Sequence, residues 1–158
     1  MAASRFEEPP LDCPRCPRLV AFRHALQGQY PDWKNAPVRS FGDIDARIAN
    51  AVRCLPPENK PLPVEFTQCR PFLQAEIAVM PELKVIVALG KGAHDQVLRA
   101  LTVRPAGSYP FIHGRLHALP TELTLADSYH CSRYNTNTGR LTTEMFHTVF
   151  ESVRKTLK

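Results

Sequence analysis

The chain has 158 residues, a formal net charge of +5 and a pI of about 9.1, and 44% of its residues are hydrophobic. This length favours one domain with a small core. The longest aliphatic run, VIVAL, is too short to span a bilayer, which argues against a membrane protein. The basic balance suits a polyanionic partner, although many basic proteins bind none.

The cysteine content bears on the cellular compartment. The first ten residues, MAASRFEEPP, lack the apolar segment of a secretory signal, so the sequence predicts a cytoplasmic protein. In a reducing cytoplasm, the five cysteines are expected to be metal ligands or free thiols rather than disulfides.

The first half of the chain is predicted to contain two helices. The first begins at Pro17, because proline suits the first helical position, and ends at Gly28. After a loop rich in turn residues, ARIANAV (46–52) is interpreted as a strand. The second helix is predicted to begin at Pro63, with a kink or break at Pro71.

The second half alternates strands and helices. KVIVALG (84–90) is typical of a strand buried on both faces of a parallel sheet, and LTLAD (123–127) is predicted to be a second parallel strand. Apolar and polar residues alternate in FIHGRLHALP (111–120), which is predicted to form a hairpin. A polar loop is predicted for SYHCSRYNTNTGR (128–140), and a helix from Thr142 onwards. This order predicts an α/β layer fold, whose ligands lie at the carboxyl ends of the strands.

Four cysteines form a candidate metal site. Cys13 and Cys16 make a CxxC pair, and Cys54 and Cys69 follow at long, unequal spacings. Four thiolates could close a tetrahedral zinc site or hold a [4Fe–4S] cluster. The alternative is that Cys54 and Cys69 are small buried hydrophobic residues. Cys131 is interpreted as an incidental thiol.

Three histidines could suggest a further metal site. His94, His113 and His117 lie in the second half of the chain, but no compact ligand spacing joins them. They are therefore interpreted as structural or DNA-adjacent residues.

Several motifs occur in one order: CPRCPRLVAFR, NAVRCLPPENKP, VIVALGKGAHD, FIHGRLHALP and DSYHCSRYNTNTGRLTTEMF. Together, from Cys13 to Leu157, they resemble the type-5 (family 5) uracil-DNA glycosylases, the iron–sulfur branch found in bacteria and archaea. The resemblance implies a three-layer uracil-DNA-glycosylase-like fold, in which helices flank a small, mainly parallel sheet. It also implies a monomer of the bacterial or archaeal cytoplasm, without membrane contact, that acts on DNA containing uracil or other deaminated bases. Residues 1–158 would form one domain, with residues 1–12 flexible.

The resemblance assigns roles residue by residue. The four cluster ligands match Cys13, Cys16, Cys54 and Cys69, which would hold a [4Fe–4S] cluster, with zinc as the alternative. Asn50 would read the polar edge of the flipped base, since an amide offers both a donor and an acceptor. His130 would approach the base O2 and stabilise negative charge as the glycosidic bond breaks.

The loop that follows His130 matches the family segment that enters the DNA minor groove. Its residues would contact DNA, Arg133 through phosphate charge and Tyr134 through stacking. This DNA-binding set comprises Ser132, Arg133, Tyr134 and Asn135. Family members more often carry an aliphatic residue where this chain has Cys131, so Cys131 is not interpreted as a fifth ligand.

The chain also departs from the family. Members carry a Gly-Leu-Ala-Pro type loop and an Asn-Arg-Thr-Gly-Arg stretch, where Ile48 is followed here directly by Ala49. ARIANAVRC is therefore interpreted as two strand ends joined across a deletion that removed one strand–helix unit and the first catalytic motif. Three hypotheses follow: a glycosylase whose activity is impaired, a catalytically inactive iron–sulfur DNA-binding remnant, or a zinc-stabilised structural or interaction protein.

Overall fold

The computed structural model describes residues 7–42 and 46–158, and the chain divides into two compact units, Met1–Pro81 and Glu82–Lys158. The expectation of a single domain stays a prediction. Of the segment 1–12, expected to be flexible, residues 1–6 lie outside the described residues, whereas the side chain of Pro9 is fully buried.

The first unit contains two helices, α1 (Pro17–Gln29) and α2 (Pro63–Ala78), and a single 3₁₀ turn at Pro57–Asn59. Pro17 and Pro63 occupy the starts of their helices, as predicted. The predicted break at Pro71 is wrong, because α2 continues through it to Ala78. Proline removes one backbone donor, and the buried side chains of Cys69 and Phe72 hold the helix on both sides of it.

The predicted strand ARIANAV is not formed. Ile48 makes one isolated antiparallel bridge with Phe41, and the described residues 49–54 belong to no strand. A strand needs a neighbouring strand to pair its backbone groups, and this segment lacks one within the described residues. Its apolar run therefore becomes an irregular segment leading to Cys54.

The second unit contains the sheet. Its elements are β1 (Val85–Leu89), α3 (Lys91–Ala100), β2 (Leu116–Ala118), β3 (Thr124–Ser128), α4 (Arg133–Asn137) and α5 (Thr143–Thr156). The strand order is β1-β3-β2. β1 is parallel to β3, with Leu89 opposite Ser128. β2 is antiparallel to β3, with Leu116 opposite Ala126. The α/β prediction is confirmed, with a small mixed sheet. β2 comes from the segment predicted to form a hairpin and pairs with β3.

The strand buried most deeply is β3, not β1. We expected β1 to be covered on both faces, but only Ala88 of this strand is buried. In β3, Leu125, Ala126, Asp127 and Ser128 are all buried. The strand order explains the difference, because β3 lies between the other two strands and β1 lies at the edge of the described sheet.

The apolar core of the second unit lies between the sheet and α3. It consists of Ala88, Val97, Leu98, Val103, Leu119 and Leu125. On α5, Val149 and Val153 are buried, whereas Phe150 and, just beyond the helix, Leu157 are exposed. In the described part of the chain, no helix has both the length and the hydropathy needed to cross a membrane.

Candidate functional site

The four predicted metal ligands all lie in the first unit. Cys13 and Cys16 directly precede α1, Cys69 lies within α2, and Cys54 lies in the irregular segment between the helices. Cys13, Cys16 and Cys69 are buried, and Cys54 is half-buried. Local structure sets the first pair, because the Cys13 N–H donates to the Pro10 carbonyl oxygen and Cys16 is the N-cap residue of α1.

The thiols influence one another electrostatically. Burial raises the pKa of Cys16 to about 11, and the nearby thiolates of Cys69, Cys54 and Cys13 add to the increase. Burial also raises the pKa values of Cys54 and Cys69, with further contributions from other members of the set. The four sulfurs therefore converge on one region, and a bound metal would have to displace their protons.

Hydrogen-bond donors surround these sulfurs. Arg23 is buried, and its Nη1 lies 3.9 Å from the Cys54 Sγ while its Nη2 lies 3.4 Å from the Cys13 carbonyl oxygen. The Arg23 guanidinium lowers the pKa of Cys54, and the Arg53 main-chain N–H lowers that of Cys69, although burial outweighs both effects. Both donors would stabilise thiolates bound to a positively charged group.

A single metal ion needs ligand atoms that lie close to one another. Within residues 7–42 and 46–158, the one group of His, Cys, Asp or Glu side chains with ligand atoms close enough for a single ion is His94, His117 and Asp127. The four cysteines are not in that group. By residue type they suit either group, since four thiolates can bind one tetrahedral zinc ion or one iron atom each of a [4Fe–4S] cluster.

Buried ion pairs hold the elements that carry the cysteines. Glu65 accepts from Arg18 Nε at 2.7 Å and from the Leu62 N–H at 2.7 Å, and Arg18 lowers the pKa of Glu65. On the same helix, Glu76 accepts from Arg53 Nη2 at 2.7 Å and from Arg47 Nε at 2.9 Å. These pairs join α2 to α1 and to the segment that carries Cys54.

Asn50 and His130 belong to different units. Asn50 is exposed in the irregular segment four residues before Cys54. His130 is exposed just beyond the carboxyl end of β3. The predicted position of His130 at a strand end agrees with the structure, while its catalytic role stays a prediction.

The backbone of His130 is held on two sides. Gly90 follows β1 with a φ of +97°, and a Cβ atom placed on it would lie 3.3 Å from the His130 Cβ. The Gly90 N–H donates to the Ser128 carbonyl oxygen at 2.7 Å, and Asn135 Nδ2 donates to the His130 carbonyl oxygen at 2.8 Å. A larger residue at position 90 would crowd His130, which explains the glycine there.

The residue before His130 is also fixed. The Tyr129 N–H donates to His113 Nδ1 at 3.0 Å, and the two rings stack with centroids 4.7 Å apart. The Arg140 guanidinium lies 4.8 Å from the centroid of the Tyr129 ring. Burial lowers the pKa of His113, which favours the neutral ring that can accept this hydrogen bond.

The segment predicted to be a polar loop contains the short helix α4. Ser132 caps α4, and its Oγ accepts the Asn135 N–H at 3.4 Å. Ser132 and Asn135 thus have local structural contacts, whereas Arg133 and Tyr134 are exposed, with Tyr134 72% accessible. The serine three residues before Asn135 was the available sequence signal for this cap.

Sequence reasoning missed a second cluster of functional groups. His94 of α3, His117 of β2 and Asp127 of β3 meet in the interior of the second unit. The interpretation of His94 and His117 as structural or DNA-adjacent residues did not include this contact with Asp127. No local spacing indicated the cluster, because its members come from three elements and meet only when the sheet forms.

Comparison with known proteins places this chain in a family. The family model described as Uracil DNA glycosylase superfamily matches residues 18–154. The chain therefore belongs to the uracil-DNA glycosylase superfamily and, by the similarities that follow, to its type-5 group.

The relatives named Type-5 uracil-DNA glycosylase include proteins from bacteria and archaea. The protein from Thermus thermophilus is 32% identical over 205 aligned residues, covering 90% of this chain and 93% of the relative. The one from Pyrobaculum aerophilum is 28% identical over 196 residues, covering 85% and 84%. The one from Mycobacterium leprae is 39% identical over 110 residues, covering 69% of this chain and 48% of the relative.

The aligned lengths differ in an informative way. The Thermus and Pyrobaculum alignments extend over more positions than the 158 residues of this chain, so parts of both relatives have no counterpart here. The shorter Mycobacterium alignment shows no such excess. This chain is thus a shortened member in comparison with the first two relatives.

Proposed function

We propose that this chain is an iron–sulfur uracil-DNA glycosylase that hydrolyses the N-glycosidic bond of uracil, and of other deaminated bases, in DNA. The observation that carries the proposal is the family match over residues 18–154. The type-5 names of the relatives support the choice of substrate. The exposed position of His130 at the carboxyl end of β3 supports its place in the reaction, because α/β proteins bind ligands at such ends.

His130 would act on the leaving base. As the glycosidic bond breaks, negative charge develops on the uracil, and a hydrogen bond from the imidazole to O2 would stabilise that charge. Gly90 and Asn135 contact His130 itself, and His113 binds the N–H of the residue before it. Because these contacts hold the His130 backbone, little reorganisation would accompany base binding. Asn50 would read the polar edge of the flipped base with its amide donor and acceptor.

Cys13, Cys16, Cys54 and Cys69 would hold the [4Fe–4S] cluster. The electrostatic interaction among these thiols and the Arg23 contact with Cys54 support a shared site, and the resemblance to the iron–sulfur branch favours the cluster over zinc. When bound, the cluster would supply a covalent connection between the start of α1, the Cys54 segment and α2.

The segment after His130 would contact DNA. The exposed Arg133 would neutralise a phosphate, and the exposed Tyr134 would stack in the minor groove or against an unpaired base. Ser132 and Asn135 would shape α4 and reach DNA from its first turn. The net charge of +5 favours this partner.

The missing first motif limits the expected rate. The gaps implied by the Thermus and Pyrobaculum alignments support the absence of a segment from this chain, which the resemblance assigns to the junction between Ile48 and Ala49. In the resembling family the lost loop supplies the group that acts on the sugar side, whereas Asn50 and His130 act on the base. Without that group, water positioning and stabilisation of the cationic sugar weaken. This observation also favours a second candidate, a DNA-binding remnant without catalysis.

The test is base excision by anaerobically prepared, iron-reconstituted protein on DNA that contains one uracil, with alkali cleavage to reveal abasic sites. The variant His130→Ala is compared with His147→Ala, which changes an exposed histidine of α5. Product that is lost in His130→Ala and kept in His147→Ala supports the glycosylase.

The same preparations separate the two candidates. Absence of product from a protein that holds its iron and binds DNA assigns the chain to the inactive DNA-binding remnant. Absence of both product and DNA binding overturns both candidates. A colourless protein that contains zinc in place of iron overturns the cluster assignment.

A further inference from the structure

The interior of the second unit contains a polar cluster that the proposed reaction does not use. His94 Nδ1 lies 2.7 Å from Asp127 Oδ1, and His117 Nε2 lies 3.0 Å from Asp127 Oδ2. His94 is 1% exposed, His117 6% and Asp127 0%. Polar groups this deeply buried are costly unless each is hydrogen-bonded or paired with an opposite charge.

Counting hydrogens restricts the state of His94. Its Nδ1 faces the carboxyl group of Asp127, and its Nε2 faces the main-chain carbonyl oxygen of Tyr109 at 2.9 Å. A carbonyl oxygen can only accept, so Nε2 must carry a hydrogen. The remaining question is which partner holds the proton between Nδ1 and Oδ1.

The surroundings of Asp127 place that proton on His94. Asp127 Oδ2 also accepts the Ile112 N–H at 3.1 Å, so the carboxyl group faces two further donors besides His94. Hydrogen bonds of this kind favour the ionised carboxylate. An ionised carboxylate can only accept, so the hydrogen of the contact between Nδ1 and Oδ1 would lie on His94 Nδ1.

A metal ion is the other cation that this cluster could hold. Its three ligand atoms converge, and the Tyr109 carbonyl would fix the His94 tautomer as it does for many metal ligands. However, zinc takes four ligands, and no fourth histidine, cysteine or carboxylate joins these three in the part of the chain that the structure describes. Their burial also leaves little access for a water ligand.

We propose that His94 carries a proton on both ring nitrogens and forms with Asp127 a buried ion pair that fastens residues 109–114 to the end of β3. The pair lies at the centre of several contacts. The Gly114 N–H donates to the Asp127 carbonyl oxygen at 2.8 Å, and the Asp127 N–H donates to the Arg115 carbonyl oxygen at 2.9 Å. The Asp127 carboxylate is also bound by the His94 ring and by the Ile112 main-chain N–H.

The fastened segment carries His113, which in turn accepts the Tyr129 N–H next to His130. His94 and Asp127 are therefore positioning residues for the end of β3. Their importance for base excision rests on the proposed function, whereas their charge state does not. The experiment consequently uses the iron-reconstituted protein without DNA.

The test is nuclear magnetic resonance of protein labelled with ¹⁵N at its histidines, recorded at neutral pH. We expect both His94 ring nitrogens to have the chemical shifts of protonated nitrogen, with both ring hydrogens protected from solvent. A neutral His94 with hydrogen on Nε2 alone would overturn the ion pair. Elemental analysis that finds one further metal per chain, lost on changing His117→Gln, would assign the cluster to a metal instead.

Two matched variants test the fastening. Asp127→Asn removes the buried charge, and Asp95→Asn makes the same chemical change at the α3 residue that pairs with Lys91 at the surface. We expect Asp127→Asn to neutralise His94 and to raise hydrogen exchange at the Ile112 amide about tenfold or more, since it loses a charged acceptor. Asp95→Asn should change neither. Equal exchange in both variants would show that Asp127 does not hold this segment. Should Asp127→Asn fail to fold, the spectrum of the unmodified protein still decides the charge state.

Discussion

The two units of the chain bury different kinds of side chain. In the first unit the buried set is dominated by thiols and charged groups: Cys13, Cys16, Cys69, Arg23, Arg53, Glu65 and Glu76, with Leu19 and Phe72. In the second unit the core is aliphatic and lies between the sheet and α3. The first unit therefore depends on the pairing of buried charges, whereas the second depends on the hydrophobic effect.

This difference has an energetic basis. The second unit gains free energy from apolar surface removed from water, without a ligand. In the first unit, burial raises the pKa values of Cys16, Cys54 and Cys69, so bringing these thiols together favours their neutral form until a cation is bound. Metal binding and folding should therefore be coupled in the first unit and independent in the second.

Removing a cluster ligand should produce the largest effect. We expect Cys16→Ser to reduce bound iron from about four atoms per chain to near background, and to make residues 7–81 sensitive to limited proteolysis while residues 82–158 resist it. Iron analysis and mass spectrometry of the fragments measure the two effects. Cys131→Ser, which changes the exposed cysteine, is the control and should keep its iron. Full iron content in Cys16→Ser would remove Cys16 from the ligand set.

Breaking a buried ion pair should come next. Glu76→Gln removes the nearer carboxylate of Arg53, at 2.7 Å, and leaves Glu8 at 3.6 Å. Because Arg53 is 1% exposed, this change should lower the free energy of unfolding by about 3–5 kcal/mol. Urea unfolding followed by fluorescence reports on the first unit, because Trp33 is the only tryptophan. Glu58→Gln changes the exposed partner of Lys60 and should cost much less. Similar losses in the two variants would contradict a special role for buried charge here.

The corresponding change in the second unit concerns its aliphatic core. Leu125→Ala, at a side chain that is fully buried in β3, should lower the free energy of unfolding by about 2–5 kcal/mol and leave the iron content unchanged. Urea unfolding followed by far-ultraviolet circular dichroism measures the loss. Leu116→Ala, at a leucine of β2 that is 37% exposed, is the matched control with a smaller expected loss. Loss of iron in Leu125→Ala would show that the two units are not energetically independent.

DNA binding tests two exposed residues of the second unit, Arg133 and Tyr134. Arg133→Ala should reduce the salt dependence of binding, with the slope of log K against log salt changing by about 0.9 in duplex DNA. Tyr134→Ala should weaken binding without changing that slope, since stacking releases no counterions. Fluorescence anisotropy over a salt series measures both. Arg154→Ala on α5 is the control. If this variant changes the slope as much as Arg133→Ala does, the positive charge of Arg133 has no special position in DNA binding.

The smallest expected effect is the contribution of His113 to the pH dependence of stability. Its pKa in the folded protein is lowered by burial from the ordinary 6.5, so the unfolded chain binds more protons between the two values. The stability that His113 contributes is therefore complete above about pH 6.5 and is lost as the pH falls through its folded pKa. His113→Gln keeps an acceptor for the Tyr129 N–H and should remove this part of the pH dependence. Thermal unfolding across this range measures it, with His147→Gln as the exposed control; an unchanged profile in His113→Gln would assign the pH dependence to other groups.

Local patterns in the sequence were sufficient for most elements. Prolines at first helical positions marked the starts of α1 and α2, β-branched runs predicted β1, and the threonine at position 142 caps α5 where a helix was expected. These starts and caps depend on preferences that act within a few residues of the chain. The role of the four cysteines was predicted from their residue type and from the family resemblance, and it stays a prediction.

Only the tertiary structure decided the remaining features. The strand expected at ARIANAV is absent because a strand requires a partner, and the central position belongs to β3 rather than β1 because strand order is set by pairing across the sheet. The helix α2 passes through Pro71 because buried neighbours outweigh one lost hydrogen bond. His94, His117 and Asp127 lie on separate elements, and their side chains meet because folding of the sheet brings those elements together.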